Sequence, residues 1–352
     1  MAVYTESRSF IRKAERLAAI VSLACLLLLL ALSLWNLAVT KWQHANNPVF
    51  GAFYSVEGRQ MHLYCSGAGS PTVVIEAGLG SDWLGWQVVQ PNLSRVTRVC
   101  TYDRSGLGWS EPRSGPRDAE TIARQLHALL DVGGVERPMV LTGHSAGGLY
   151  VREYARQFPA EIAGLVLVDS SSPRQLDELP GSRASYEADK RNAARELWHD
   201  RLVVWSGWER LMDRCRQTPG KGLEHLAGQY DAQACRPTFV DGELGEYMDF
   251  ETAARQAGRL SSLGNVPLLI LSADTNIHDK SMNADAIARL PVWNREQEAS
   301  KLLSPLSWRV IARGSGHKIY QDRPELVLAQ ISSLIGYLRG GQAPPFGSTA
   351  TE

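Results

Sequence analysis

Between residues 60 and 168 short apolar runs alternate with helical patterns, and this rhythm constrains the fold more than any other feature of the chain. Residues 60–65, 72–76, 98–102, 139–142 and 162–168 read as strands, with turn residues such as 66–71 between them. Residues 119–132 read as a helix, because Ile122, Leu126, Leu129 and Leu130 fall on one face. The run 162–168 is apolar throughout, as in a strand buried on both faces. Strand–helix alternation of this kind predicts a mostly parallel central sheet with helices on both faces, an α/β fold.

Within that rhythm, Thr142-Gly143-His144-Ser145-Ala146-Gly147-Gly148 joins a strand to a helix that begins at Leu149. G-x-S-x-G in a strand–turn–helix setting is a nucleophile elbow, with Ser145 as the nucleophile. Its glycines are needed where a side chain would meet neighbouring backbone, and the helix that follows aims N–H groups at charge developing near the serine. His144 points away from its neighbour Ser145, so it is expected to make a local hydrogen bond instead of acting as base. The base is expected at His317, in Gly314-Ser315-Gly316-His317, directly after the strand signal at 308–312. A neutral imidazole there can take the hydroxyl proton and pass it to a leaving group. Asp322 and Glu325 read as a helix cap and its box partner.

These segments resemble the α/β-hydrolase family over roughly residues 55–340. Glu76-Ala77-Gly78-Leu79-Gly80 is similar to the family's oxyanion turn, with Ala77 where the family usually has histidine. That change is tolerable because backbone amides hold the oxyanion, and the resemblance implies those of Leu79 and Ala146. Tyr102-Asp103-Arg104-Ser105-Gly106-Leu107-Gly108-Trp109-Ser110 is similar to another family loop, in which Asp103 is expected to bind loop amides. The family's usual acid follows the seventh strand in a GxxD pattern. Here strand 267–271 leads into Ser272-Ala273-Asp274-Thr275-Asn276, without the glycine. Asp274 is the favoured acid, Asp169 at the end of strand 162–168 is the rival, and Asp279 is a third candidate. The helical stretch 170–264 looks like the family's cap or lid, inserted after the sixth strand. Its apolar stripe, Trp205, Trp208, Leu211 and Met212, is expected to pack the lid onto the core, or else to form a substrate wall.

At the N-terminus, residues 17–39 run 23 residues without a charge. A helix of that length reaches about 35 Å, enough to cross a bilayer core. A cleaved signal peptide has a shorter apolar region, of about 7–15 residues, so an uncleaved single-pass anchor is the favoured reading. Arg8, Arg12, Lys13 and Arg16 precede the run, and only Lys41 follows closely. The positive-inside rule then keeps the N-terminus in the cytoplasm and sends the catalytic part to the periplasmic or extracellular side. Four of the five cysteines lie outside the span, an even number that invites two disulfides in an exported domain, with free buried thiols as the other reading. The resemblance makes the second and fourth strands neighbours, which implies a Cys65–Cys100 bridge and leaves Cys215 to pair with Cys235.

The layout expected is therefore a cytoplasmic segment 1–16, an anchor 17–39, a linker 40–55, core 56–169, lid 170–264, core 265–339 and a disordered tail 340–352. Lys plus Arg equal Asp plus Glu at 37 each, and no basic run follows the first twenty residues. That balance excludes the electrostatic footprint of a nucleic-acid binder. No metal-type cysteine or histidine spacing occurs, and no cofactor is implied. The family resemblance implies a serine hydrolase acting on a small-molecule carboxylic ester, with amide, peptide or thioester hydrolysis on the same residues as alternatives. Ser145 argues against epoxide hydrolases and haloalkane dehalogenases, which need a carboxylate at that position. A binding protein that keeps the fold without turnover is the alternative from another class. A membrane scaffold that recruits a partner would instead show a broad apolar surface on 170–264.

Overall fold

In a computed structural model that describes residues 2–276 and 284–352, the apolar runs form a nine-stranded sheet among the described residues. The strands are β1 (Ala52–Val56), β2 (Arg59–Ser66), β3 (Val73–Glu76), β4 (Val99–Tyr102), β5 (Met139–His144), β6 (Ile162–Val168), β7 (Leu268–Ala273), β8 (Ser307–Ala312) and β9 (Thr349–Thr351). They lie in the order β1-β2-β4-β3-β5-β6-β7-β8-β9. Only the β1–β2 and β2–β4 pairs are antiparallel; every other neighbouring pair is parallel.

Successive side chains along a strand point to opposite faces, and the central strands are apolar on both. Leu165 and Leu167 of β6 enter one core with Leu126 and Leu129 of helix α2 (Ala119–Val132) and Val151 of α3 (Gly147–Gln157). Val166 and Val168 enter the opposite core with Val327, Ile331 and Leu334 of the last helix, Pro324–Leu338. Preceding all of these is α1 (Ala2–Asn46). Among the described residues it holds the one stretch long and apolar enough to cross a membrane, within Arg12–Asn46.

Between β6 and β7 the chain forms α4 (Ser182–Trp205), α5 (Trp208–Leu211), α6 (Ala227–Ala234) and α7 (Pro237–Ala257). Then come α8 (Ala284–Ala299) and the last helix, α9. The insertion packs on the sheet domain through Tyr186 of α4 and through Phe250, Ala253, Ala254 and Ala257 of α7, which meet Leu149 and Tyr150. The stripe expected to do this, Trp205, Trp208, Leu211 and Met212, is exposed instead. It runs from the last residue of α4 across α5 to Met212, and none of its members joins the core that the insertion shares with the sheet domain.

Two further expectations are corrected at the ends. The linker 40–55 is largely structured, because α1 continues to Asn46 and β1 begins at Ala52. The tail is not disordered. Phe346 packs edge-on against Trp308 and Tyr337, and Thr349 and Thr351 pair with Arg309 and Ile311 of β8. One aromatic anchor and one short β-type run outweigh the Gly/Pro-rich composition. The cysteines pair as the resemblance implied: Cys65–Cys100 joins directly opposed positions of β2 and β4, and Cys215–Cys235 closes a loop of the insertion.

Candidate active site

The turn after β5 forces Ser145 into a left-handed conformation, with φ of 54°, a region that non-glycine residues seldom occupy. Close packing makes room for it. A Cβ at Gly143 would stand 2.5 Å from the Gly147 carbonyl oxygen, and one at Gly147 would stand 2.5 Å from that of Glu76. The turn is tied to β6 on both sides: Ser145 N–H donates to the Val168 carbonyl at 3.2 Å, and Ser171 N–H donates to the Ser145 carbonyl at 2.9 Å.

That tie brings the end of β6 beside the serine, and the end of β6 is Asp169. Its carboxylate is buried, and its Oδ2 accepts from His317 Nδ1 at 2.6 Å. The other oxygen, Oδ1, accepts from the Ala273 amide at 3.0 Å and from Trp293 Nε1 at 2.9 Å. Asp169 thus has a fixed carboxylate that accepts the Nδ1 proton of the imidazole, and in the neutral ring this tautomer makes Nε2 the acceptor. Asp274, favoured from the sequence, does not meet His317. Its oxygens accept from the Asn276 and Gly314 amides at 3.0 and 3.2 Å, so it braces the loop that carries the histidine. The loop after β7 turns Asp274 toward that backbone, whereas Asp169 already lies one strand away from Ser145. Asp279 lies outside the described residues.

Two more side chains hold the histidine loop. His144 Nε2–H donates to the carbonyl of His317 at 3.0 Å. Burial, reinforced by nearby His317, pulls the His144 imidazole down to about 3, so it is neutral at pH 7. Asp322 accepts from the Gly316 amide at 2.9 Å and caps no helix, since Arg323 is the residue at the start of α9. Sequence reading placed His144 as a local hydrogen-bonding residue but missed the service of Asp322 and Trp293.

The oxyanion turn is held from beneath. Arg104 donates to Glu76 Oε1 at 2.6 Å, to the carbonyls of Ala77 and Gly78 at 2.9 and 2.7 Å, and to Glu246 Oε1 at 2.6 Å. Glu246, on α7, also accepts from the Gly80 amide at 3.0 Å. Burial pushes the Glu76 carboxyl up to about 7 against the opposing pull of Arg104. Leu79 and Ala146 therefore sit on rigid backbone, and among the described residues no protein acceptor takes either amide. Asp103 binds the Trp83 and Trp109 amides at 3.0 and 2.9 Å and His62 Nδ1 at 2.9 Å, a structural post as expected.

Above Ser145 opens a cavity of ≈330 Å³. Leu79, Leu176, Tyr186, Tyr247 and Phe250 give it apolar walls, and Gln175 and Arg289 add polar groups. Among the described residues no cluster of His, Cys, Asp and Glu could hold a metal ion.

Known proteins resemble this chain in sequence and in fold. Residues 71–206 match the profile of the alpha/beta hydrolase fold. An AB hydrolase superfamily protein of Gibberella zeae is 35% identical over 297 residues, covering 76% of this chain and 87% of that one. A relative in Hormonema carpetanum, named "Probable transporter efuK", is 27% identical and is matched over 79% of this chain. The match spans only 43% of that relative's length. In structure, the chain superposes on a thermophilic esterase from Thermogutta terrifontis with a TM-score of 0.58 and 22% identity, over 82% of this chain and 98% of that one. The chain belongs to the α/β-hydrolase superfamily.

Proposed function

We propose that the protein is a serine hydrolase that cleaves carboxylic esters through an acyl-enzyme. The observation that carries the reading is the 2.6 Å bond between His317 Nδ1 and Asp169 Oδ2, at the strand end tied to the elbow of Ser145. In this reading Ser145 Oγ attacks the ester carbonyl while His317 Nε2 takes its proton. Asp169 holds the tautomer and steadies the imidazolium. The amides of Leu79 and Ala146 bind the oxyanion; the same histidine protonates the leaving alcohol and then activates water. Asp169 is thus preferred over Asp274 as the acid. The helices between β6 and β7 act as a lid whose Tyr186, Tyr247 and Phe250 meet the substrate's apolar part.

We also read α1 as a single-pass anchor that leaves the hydrolase on the non-cytoplasmic side. The long uncharged run, its flanking charges and two disulfides support that orientation.

Labelling with a fluorophosphonate, with hydrolysis of short p-nitrophenyl esters followed in parallel, tests the chemistry. Wild-type protein is expected to label and turn over, and Ser145→Ala to do neither while remaining folded. Labelling that survives in Ser145→Ala would remove the assignment.

A further inference from the structure

Ser33, Asn36, Thr40 and Gln43 follow one another along α1 at intervals of three, four and three residues, and so form one stripe. Ser33 and Asn36 are each 2% exposed, whereas Leu30, Leu34 and Trp35 beside them are open. The insertion covers the stripe. Asn36 Nδ2 donates to the Val204 carbonyl at 3.0 Å. Arg210 donates to Asn36 Oδ1 at 2.8 Å, to Gln43 Oε1 at 2.8 Å and to Thr40 Oγ1 at 3.2 Å. Between them Gly207 comes so close that a Cβ there would stand 3.0 Å from the Leu32 carbonyl oxygen.

This clamp fixes a depth. Leu32 lies seven residues inside the uncharged run that ends at Val39, about 10 Å along the helix axis. Amphipathic elements on membranes sit about 5–10 Å into the boundary between headgroups and acyl chains. A surface clamped to the span at that level meets lipid, and its composition fits. Leu202, Trp205, Trp208, Leu211 and Met212 surround the clamp, and each is between 47% and 62% exposed. Single exposed apolar residues are ordinary; five within eleven positions form a patch that calls for a partner. Tryptophan is also the residue enriched at membrane interfaces.

We propose that residues 202–212 are a second membrane contact, seated in the leaflet from which the C-terminal end of the span emerges. The proposal rests on the reading of α1 as an anchor. Its effect is orientation. The clamp joins the catalytic domain to the span, and a second contact across the end of α4 and α5 keeps the clamped pair from tilting together in the bilayer. The opposite end of α4, at Ser182, Ser185 and Tyr186, lines the cavity above Ser145. The mouth is thereby held about 35 Å from the contact, the length of the helix between.

The full chain with Cys25→Ser and Trp208→Cys, labelled with nitrobenzoxadiazole and reconstituted in phosphatidylcholine vesicles, tests this. Chains brominated near the headgroup are expected to quench the label, as they would a group at interfacial depth, while aqueous iodide leaves its fluorescence unchanged. Met212→Cys supplies an independent position should Trp208→Cys fail to fold. Alkaline carbonate extraction separates the two readings. Release of the chain from membranes would overturn the anchor, and the second contact with it. Retention of the chain, with a label quenched by iodide and not by bromine, would overturn the second contact alone and assign the face to a protein partner.

Discussion

Ser145 and Asp169 both hold a left-handed backbone, with φ of 54° and 39°. Each stands at the C-terminal end of a parallel strand, and β5 and β6 are neighbours. Sequence alone offered an aspartate after β6 and another after β7, and nothing local distinguished them. What separates them is the sheet order together with the direction in which each loop leaves its strand. On the proposed mechanism, Asp169→Asn lowers kcat by about 10⁴-fold, because the wrong imidazole tautomer is then favoured. Asp274→Asn keeps one carbonyl acceptor for the loop amides and loses far less. Steady-state kinetics of the two variants decide the matter, and a larger loss in Asp274→Asn would reverse the choice. His144 gives a pH dependence. Its folded-state value, about 3, lies below the ordinary 6.5, so below pH 6.5 the unfolded chain binds the proton that the folded one refuses. Its contribution is complete above pH 6.5 and is lost as pH falls toward 3, with a slope of at most about 1.4 kcal/mol per pH unit. Urea unfolding between pH 7 and 4.5 should show this slope, and His144→Gln should flatten it.

Arg104 welds three elements: the end of β3 through Glu76, the oxyanion turn through two carbonyls, and α7 through Glu246. The loop carrying Arg104 was legible as architecture from its motif. Glu246 was not, because it lies 142 residues away in a helix with no local signal. Arg104→Met leaves two buried carboxyl groups without their cation, a loss of about 3–5 kcal/mol to be read by chemical denaturation. Glu246→Gln keeps a hydrogen-bonding side chain at the Gly80 amide and should cost less. The central strands were legible because burial on both faces leaves only apolar residues in them. β1 and β9 were missed because edge strands carry polar residues and short runs, which composition does not separate from loop.

For the whole molecule, the neighbouring of the second and fourth strands, the place of the insertion and the pairing of cysteines followed from the family resemblance and agree with the structure. The outward aim of the tryptophans did not, because an apolar stripe reads the same whether it faces a core or lipid. The polar stripe of α1 bears on how the protein can be handled at the bench. Asn47 is the natural place to cut for a water-soluble version, yet the cut would strip Arg210 of its Asn36, Thr40 and Gln43 acceptors and uncover Gly207 beside five exposed apolar side chains. A preparation begun at residue 47 is expected to aggregate on size exclusion without detergent, and the full chain in micelles to run as a single species. On this expectation the N-terminal helix is a shield for the insertion, and a clean monomeric profile from the trimmed protein would show that it is not.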